Sequence, residues 1–294
     1  MIQRTRAARH GGKEAEHDGR VCIVASMVDH VFGAYIIHRN IAREPIDQEF
    51  ANLMQVDLLI VTAIVSEFSS IAEGIGPSGR RHEDYRLQVN RLGGKTVVLM
   101  QMGMGPSRAR RAMKWAFEHI DPACVIMVGI AGGLDPALPL ATKVVPFRVI
   151  DEHQGEITLT EKHPWFEETS PKTSLLQTDR IILQATQKSE LFVRTGARAV
   201  DMESLAVARA CNEAGRPIQV VRFVSDRAGD SLPSEIVGLV DEAGNPRLMT
   251  ALGRIIRRPT LLRELLTIER SNKLVATAMR SWGRELRARI TERS

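Results

Sequence analysis

Asp57 is followed by an almost unbroken apolar run, Leu58-Leu59-Ile60-Val61-Thr62-Ala63, and a second one stands at Cys124-Val125-Ile126-Met127-Val128. A strand with one wet face alternates polar and apolar residues. A strand that is apolar throughout must be covered on both faces. These two runs therefore demand a sheet between layers, and the flanking patterns supply helices for them. Leu87–Leu92 and Thr96–Met102 read as strands joined at Gly93-Gly94, a hairpin signal. Pro106–His119 reads as a helix with Ala109, Ala112, Met113 and Ala116 on its apolar side. Lys143–Val149, Ala199–Met202 and Gln219–Val224 read as further strands. Ser204–Ala214 reads as a helix stopped by Gly215-Arg216-Pro217. The expected fold class is α/β, a mixed central β-sheet flanked by helices in three layers. After Pro233 the pattern turns helical and arginine-rich, with helices expected at Leu248–Ile256, Leu261–Ile268 and Leu274–Ile290. Three segments follow: an N-terminal extension over 1–54, a catalytic-sized body over 55–245 and a basic helical C-terminal extension over 246–294.

The net charge of +5 sits mostly at the two ends of the 294-residue chain. That distribution suits a near-neutral body with basic ends better than a nucleic-acid-binding face. Three widely spaced cysteines, Cys22, Cys124 and Cys211, give no disulfide framework or zinc spacing. Cys124 and Cys211 read as small buried hydrophobes, and a reducing cytoplasm is the expected compartment. The run from Val21 to Ile37 is interrupted by Asp29 and His30, so it reads as a packed element rather than a membrane span. In the tail, Leu261, Leu262, Leu265, Leu266 and Ile268 could face either the body of the protein or the surface of an anionic membrane. Packing is favoured of the two. The histidines lack ligand spacing, so no metal is expected.

Chemistry-bearing residues gather beside the expected strand ends. Gly103 and Gly105 lie between a strand and a helix, where they either make a tight strand-to-helix turn, the favoured reading of the loop by itself, or offer bare amides to an anion or sugar oxygens. Gly129-Ile130-Ala131-Gly132-Gly133 is expected to close a buried strand, with room for a flat ring against its backbone. Glu67 follows the first strand, either as a solvated loop acid or as a group that activates water or binds a sugar hydroxyl. Asp201 and Glu203 straddle Met202 and would point the same way if the strand persists; otherwise they are the acidic start of a helix. Asp226 follows Ser225 at another strand end. Taken together, these acids suit the breaking of a nucleoside's glycosidic bond, with one acid protonating the base and another gripping the ribose hydroxyls.

In that order, Leu59-Ile60-Val61-Thr62-Ala63 with Glu67, Gly103-Met104-Gly105, Gly129 to Leu134, Ala199-Val200-Asp201-Met202-Glu203 and Val224-Ser225-Asp226 resemble the nucleoside phosphorylase/nucleosidase superfamily of purine and uridine phosphorylase type. Thr178-Asp179-Arg180-Ile181, Thr195-Gly196-Ala197 and the tail from Leu232-Pro233 through Gly244 to Arg257-Arg258-Pro259 are similar to its hopanoid-biosynthesis branch, whose members remove adenine from adenosylhopane. The resemblance implies a phosphorylase-like fold and a homo-oligomer. It also implies roles: Asp226 as the acid near purine N7, Glu203 on the ribose hydroxyls, and Met202 against the sugar. Ala131, Gly132, Ile181, Ile182 and Ser225 would line the base, and Glu67 would activate water. Gly103, Gly105 and Ser107 would hold phosphate or water. No cofactor is implied beyond inorganic phosphate as co-substrate, and the basic tail would allow contact with the inner face of a membrane. One departure bears on the reaction. The phosphorylases carry an arginine just before the second glycine motif and a hydroxyl within it, where this chain has Met127, Val128 and Ile130. A phosphate dianion needs such donors, and Arg108, Arg110 and Ser107 are the nearby compensating groups. Phosphorolysis of adenosylhopane is the expectation. Hydrolysis of a methylthioadenosine or adenosylhomocysteine type of nucleoside is the alternative, with a catalytically silent nucleoside-binding module beyond it.

Overall fold

The computed structural model describes residues 53–76, 80–81, 85–153, 155–159, 162–238 and 260–292, with Arg254, Arg257 and Arg258. Residues 1–52 of the N-terminal extension, with the Val21–Ile37 run, and all but Arg254 of the helix expected at Leu248–Ile256 lie outside the described residues.

The two apolar runs become β1 (Met54–Thr62) and β5 (Ile120–Gly133), paired in parallel from Met54↔Ile120 to Val61↔Met127. The glycine hairpin joins β3 (Arg86–Leu92) to β4 (Lys95–Gln101), and β4 runs parallel on the other side of β1. Beyond them lie the short β2 (Arg80–Arg81), β6 (Lys143–Val144), β7 (Pro146–Asp151), β8 (Glu156–Thr158), β9 (Ser170–Gln177), β10 (Ala199–Asp201) and β11 (Ile218–Asp226). Along the sheet the order is β2-β3-β4-β1-β5-β10-β9-β7-β8, with β11 branching from β5.

Both faces of the sheet are covered, as the unbroken apolar runs require. Leu59, Val61, Val98, Met100, Val125 and Met127 pack with α2 (Pro106–His119) and α4 (Ser204–Glu213). The alternate residues Leu58, Ile60, Val97, Leu99, Cys124 and Ile126 pack with α1 (Val65–Ile75) and α5 (Leu261–Glu292). A further helix, α3 (Ala185–Thr195), closes a smaller core of Leu134, Leu176, Leu191 and Val200. Cys124 and Cys211 are buried free thiols, as expected.

Several details differ from the sequence expectation. β5 keeps its strand form beyond the apolar run that stops at Val128 and takes in all of Gly129–Gly133. Glycine lowers strand propensity, but here β11 supplies backbone partners as far as Gly132, and β10 pairs with Gly132 and Gly133. The strand expected over Lys143–Val149 breaks into β6 and β7, which pair with different neighbours. The helices expected at Leu261–Ile268 and Leu274–Ile290 are one, α5, because nothing between them breaks a helix. Its apolar face carries Val275, Met279, Trp282, Leu286 and Ile290, all buried against the sheet layer. Each such burial contributes roughly 1.5–3 kcal/mol before entropic costs. Leu261 and Leu265 are buried too, which leaves them unable to meet a lipid surface. No helix among the described residues is long and apolar enough to cross a membrane.

The contact of α5 with α1 is close because two glycines face each other. A Cβ on Gly74 would stand 2.6 Å from the Arg280 carbonyl oxygen and 2.9 Å from Gly283 Cα. Trp282 is locked beside this contact by donating from Nε1 to Glu167 at 2.6 Å. In a free helix, Gly→Ala stabilises by about 1 kcal/mol. Here the backbone collision dominates, so Gly74→Ala should destabilise the protein by about 1–3 kcal/mol in denaturant unfolding. A stabilised variant would show that α1 and α5 do not meet as described.

Candidate active site

The site is built where β5 changes partners. β1 accompanies β5 as far as Met127, and then β10 takes over on that edge at Val200↔Gly132 and Ala199↔Gly133. On the other edge, β11 pairs with β5 from Ile218↔Val125 to Asp226↔Gly132, with a bulge at its end. Strands thus part around Gly129–Gly133, the kind of crevice at strand ends where α/β proteins place ligands.

Glu67 is in the first turn of α1 rather than in a solvated loop, and it is only 2 % exposed. Its Oε2 accepts from the amides of Ala63 at 2.8 Å and Ile64 at 3.0 Å, and its Oε1 accepts from the Ile130 amide at 2.8 Å. A carboxylate has about four lone-pair sites, so Oε1 retains one. Burial pushes the Glu67 carboxyl above its ordinary range, partly offset by Arg222 and the three amides.

β10 ends at Asp201, so the strand does not carry both acids; Glu203 is the N-cap residue of α4. They converge nonetheless, because both adjoin Arg222. This arginine lies in mid-β11 with no solvent exposure. It is ion-paired with Asp201 and donates to Ser204 Oγ from Nε at 3.3 Å and Nη2 at 3.0 Å. Ser204 also donates from its hydroxyl to Asp201. Nη1 has no hydrogen-bond partner among the described residues. It lies against Gly129, where any side chain would collide with both Arg222 Nη1 and Glu67 Oε1. That collision is the physical reason for glycine there.

Glu203 accepts from the Gly105 amide at 2.6 Å. Burial, then the charge of Asp201, push its carboxyl up to about 8; Arg222 and Gly105 oppose the shift and Glu67 adds to it. The same bond alters the expectation for the first glycine loop. The Gly105 amide is taken by Glu203 and the Gly103 amide by the Ala63 carbonyl at 3.0 Å, so neither is open to an incoming anion. Ser107 is exposed on α2 and accepts from Arg110 at 3.4 Å.

Asp226 lies across from Gly132, whose Cβ position would be 3.3 Å from its Oδ2. Oδ1 is 2.6 Å from Ser225 Oγ, and Oδ2 is ion-paired with Lys188 of α3. Ala131 is buried beside it and Met202 is half-buried. Of the two isoleucines, Ile182 belongs to the small core with Leu134 and Val200, whereas Ile181 is 37 % exposed. Glu67, Glu203, Asp226, Ala131 and Gly132 are therefore brought together; Ser107 stands apart on the surface.

Sequence reasoning missed Arg222 and Lys188. Arg222 carried a signal, since a lone charge inside Val220-Val221-Arg222-Phe223-Val224 must be compensated. Lys188 had none, standing in a polar stretch that reads as a wet helix face.

The Phosphorylase superfamily model matches residues 57–177 and 173–257, and the chain belongs to that family. Its members are enzymes of nucleoside N-glycosidic cleavage. The chain is 29% identical over 172 residues to the 5′-methylthioadenosine/S-adenosylhomocysteine nucleosidase of Marinomonas sp. (strain MWYL1), covering 49% of this chain and 74% of that one. It is 24% identical over 212 residues to the nucleosidase of the same name from Pseudoalteromonas translucida (strain TAC 125), covering 63% and 90%. The solved structure of the Campylobacter jejuni 5′-methylthioadenosine/S-adenosyl homocysteine nucleosidase shares the fold at TM-score 0.54 and 15% identity, over 78% of this chain and 99% of that one.

The raised Glu203 carboxyl links stability to pH. Between 4.5, its ordinary value, and about 8, the folded protein holds a proton there that the unfolded chain has released. That proton's contribution to stability falls as pH rises through this window and is flat above it. Glu203→Gln is neutral throughout. Its melting temperature relative to the native protein should rise from pH 5 to pH 8 and then level off. A pH-independent difference in thermal melts would show that Glu203 ionises normally.

Proposed function

We propose that this protein hydrolyses the N-glycosidic bond of a 5′-substituted adenine nucleoside of the methylthioadenosine or adenosylhomocysteine type. The observation that carries this reading is the meeting of Glu67 and Asp226 on Gly129–Gly133 of β5, with Glu203 beside Glu67 and Arg222. The names of its relatives support the substrate class.

In this mechanism the base lies along Ala131 and Gly132, beside Ser225, and Asp226, which takes up a proton from solvent as the nucleoside binds, gives that proton to purine N7. The C1′–N9 bond then lengthens, and its electron pair leaves with the base. Glu203 grips the 2′- and 3′-hydroxyls while Met202 packs against the sugar. The ribose becomes cation-like, and the carboxyl oxygens that face it stabilise the developing charge. Water then adds to C1′ and loses a proton to the remaining lone pair of Glu67, beside the unpartnered Arg222 Nη1.

Charge favours water over phosphate as the attacking group. Arg222 does supply the cation that the strand before Gly129 lacks. It is already committed to Asp201 and Ser204, however, and stands among three carboxyl groups. A phosphate dianion entering here would meet no excess of positive charge, and the Gly103 and Gly105 amides are occupied. Neutral water meets no such barrier. Phosphorolysis of adenosylhopane, to which the tail resemblance pointed, loses support on both counts, and Gly244 and Pro259 of that tail lie outside the described residues.

The test is adenine release, followed chromatographically, from 5′-methylthioadenosine, S-adenosylhomocysteine and adenosylhopane, with and without phosphate. Release from the small thio-nucleosides should not require phosphate, and Asp226→Asn should slow it at least about 10²-fold. A strict phosphate requirement would make the protein a phosphorylase. No release from any substrate would favour the binding module.

A further inference from the structure

Besides Arg222, Lys188 is the one fully buried cation among the described residues, and it stands on α3, away from the Arg222 cluster. An ammonium tolerates removal from water only when its N–H groups find acceptors. All three do here. One meets the Asp226 carboxylate, one the Arg227 carbonyl at 2.9 Å and one the Asp230 carbonyl at 2.8 Å. These acceptors belong to a single stretch of chain, the turn that leaves β11. One side chain therefore fastens that turn to α3. Ser225 engages the other Asp226 oxygen at 2.6 Å, so the carboxyl group is gripped at both ends beside Gly132.

We propose that Lys188 is a positioning residue that aims the Asp226 carboxyl at the purine nitrogen and so governs leaving-group activation, an inference that rests on the glycosidic reading above. In the proposed hydrolysis the proton passes from Asp226 to N7, the C1′–N9 pair goes to the base, and hydroxide from water adds to C1′. The proton that Glu67 takes from water returns to Asp226 through solvent. Lys188 keeps its own protons throughout. Its part is orientation, and the orientation of Asp226 matters only where the base has to be protonated.

That distinction separates positioning from simple fastening of a loop. A loop fastener affects every substrate alike. A residue that aims the acid affects adenine nucleosides but not an N7-methylated nucleoside, whose base already carries the positive charge and leaves without a proton. The experiment compares Lys188→Met with the native protein on 5′-methylthioadenosine and on its N7-methylated derivative, with uncatalysed cleavage subtracted. The expected result is a kcat loss of order 10²-fold on the first, with KM little changed, and a loss under about threefold on the second. Turnover of the methylated nucleoside also shows that the variant folds. If Lys188→Met does not fold, Lys188→Gln, which keeps a donor and removes the charge, is read in the same way. Equal losses on both substrates, or none on either, overturn the inference while leaving the glycosidic reading intact. A native protein that cleaves neither nucleoside overturns that reading and the inference with it.

Discussion

Arg222 places a full positive charge inside a strand that has no wet face, and the centre of the molecule is arranged around compensating it. Asp201 and Ser204 take its hydrogen bonds, and the buried carboxyl groups of Glu67 and Glu203 stand nearby. Taking one partner from such a buried pair typically costs about 3–5 kcal/mol, because the other charge is left uncompensated. Gly129 has no side chain because Arg222 and Glu67 occupy that space. Glu67 in turn holds the end of β1 to β5 through three amides. The cluster carries more carboxyl groups than cations. It therefore offers no excess of positive charge to an incoming dianion.

The sheet makes this possible by dividing at β5. A strand flanked by the same two neighbours along its whole length would leave no opening. Here β1 gives way to β10, and β11 bulges at Asp226, so backbone and acids meet at one crevice. Behind it, α1 is pinned by α5 through the facing glycines, and α1 carries Glu67 in its first turn. The C-terminal helix therefore belongs to the support of the site, even though it lies far away in sequence.

Much of this was legible in advance. The apolar runs, the glycine hairpin and the helix Pro106–His119 required a covered sheet, and Glu67, Glu203 and Asp226 stood out as the acids to watch. Other parts were not legible. Val65–Ile75 and Ala185–Thr195 passed unnoticed as helices, since one follows directly on an apolar strand and the other reads as a polar surface. The open amides expected at Gly103 and Gly105 were filled by Ala63 and Glu203, partners no local pattern could reveal.

The sequence by itself determined the layered α/β architecture, because apolar periodicity records which faces must leave water, and that is a local property. It also determined which acids the chain offers. Only the tertiary structure decided how those acids are used. Glu67 is tied to Ile130, Glu203 to Gly105, Asp201 to Arg222 and Asp226 to Lys188. The charge on a buried group is set by the partners that replace water around it. Those partners come from distant segments that meet only when the sheet closes.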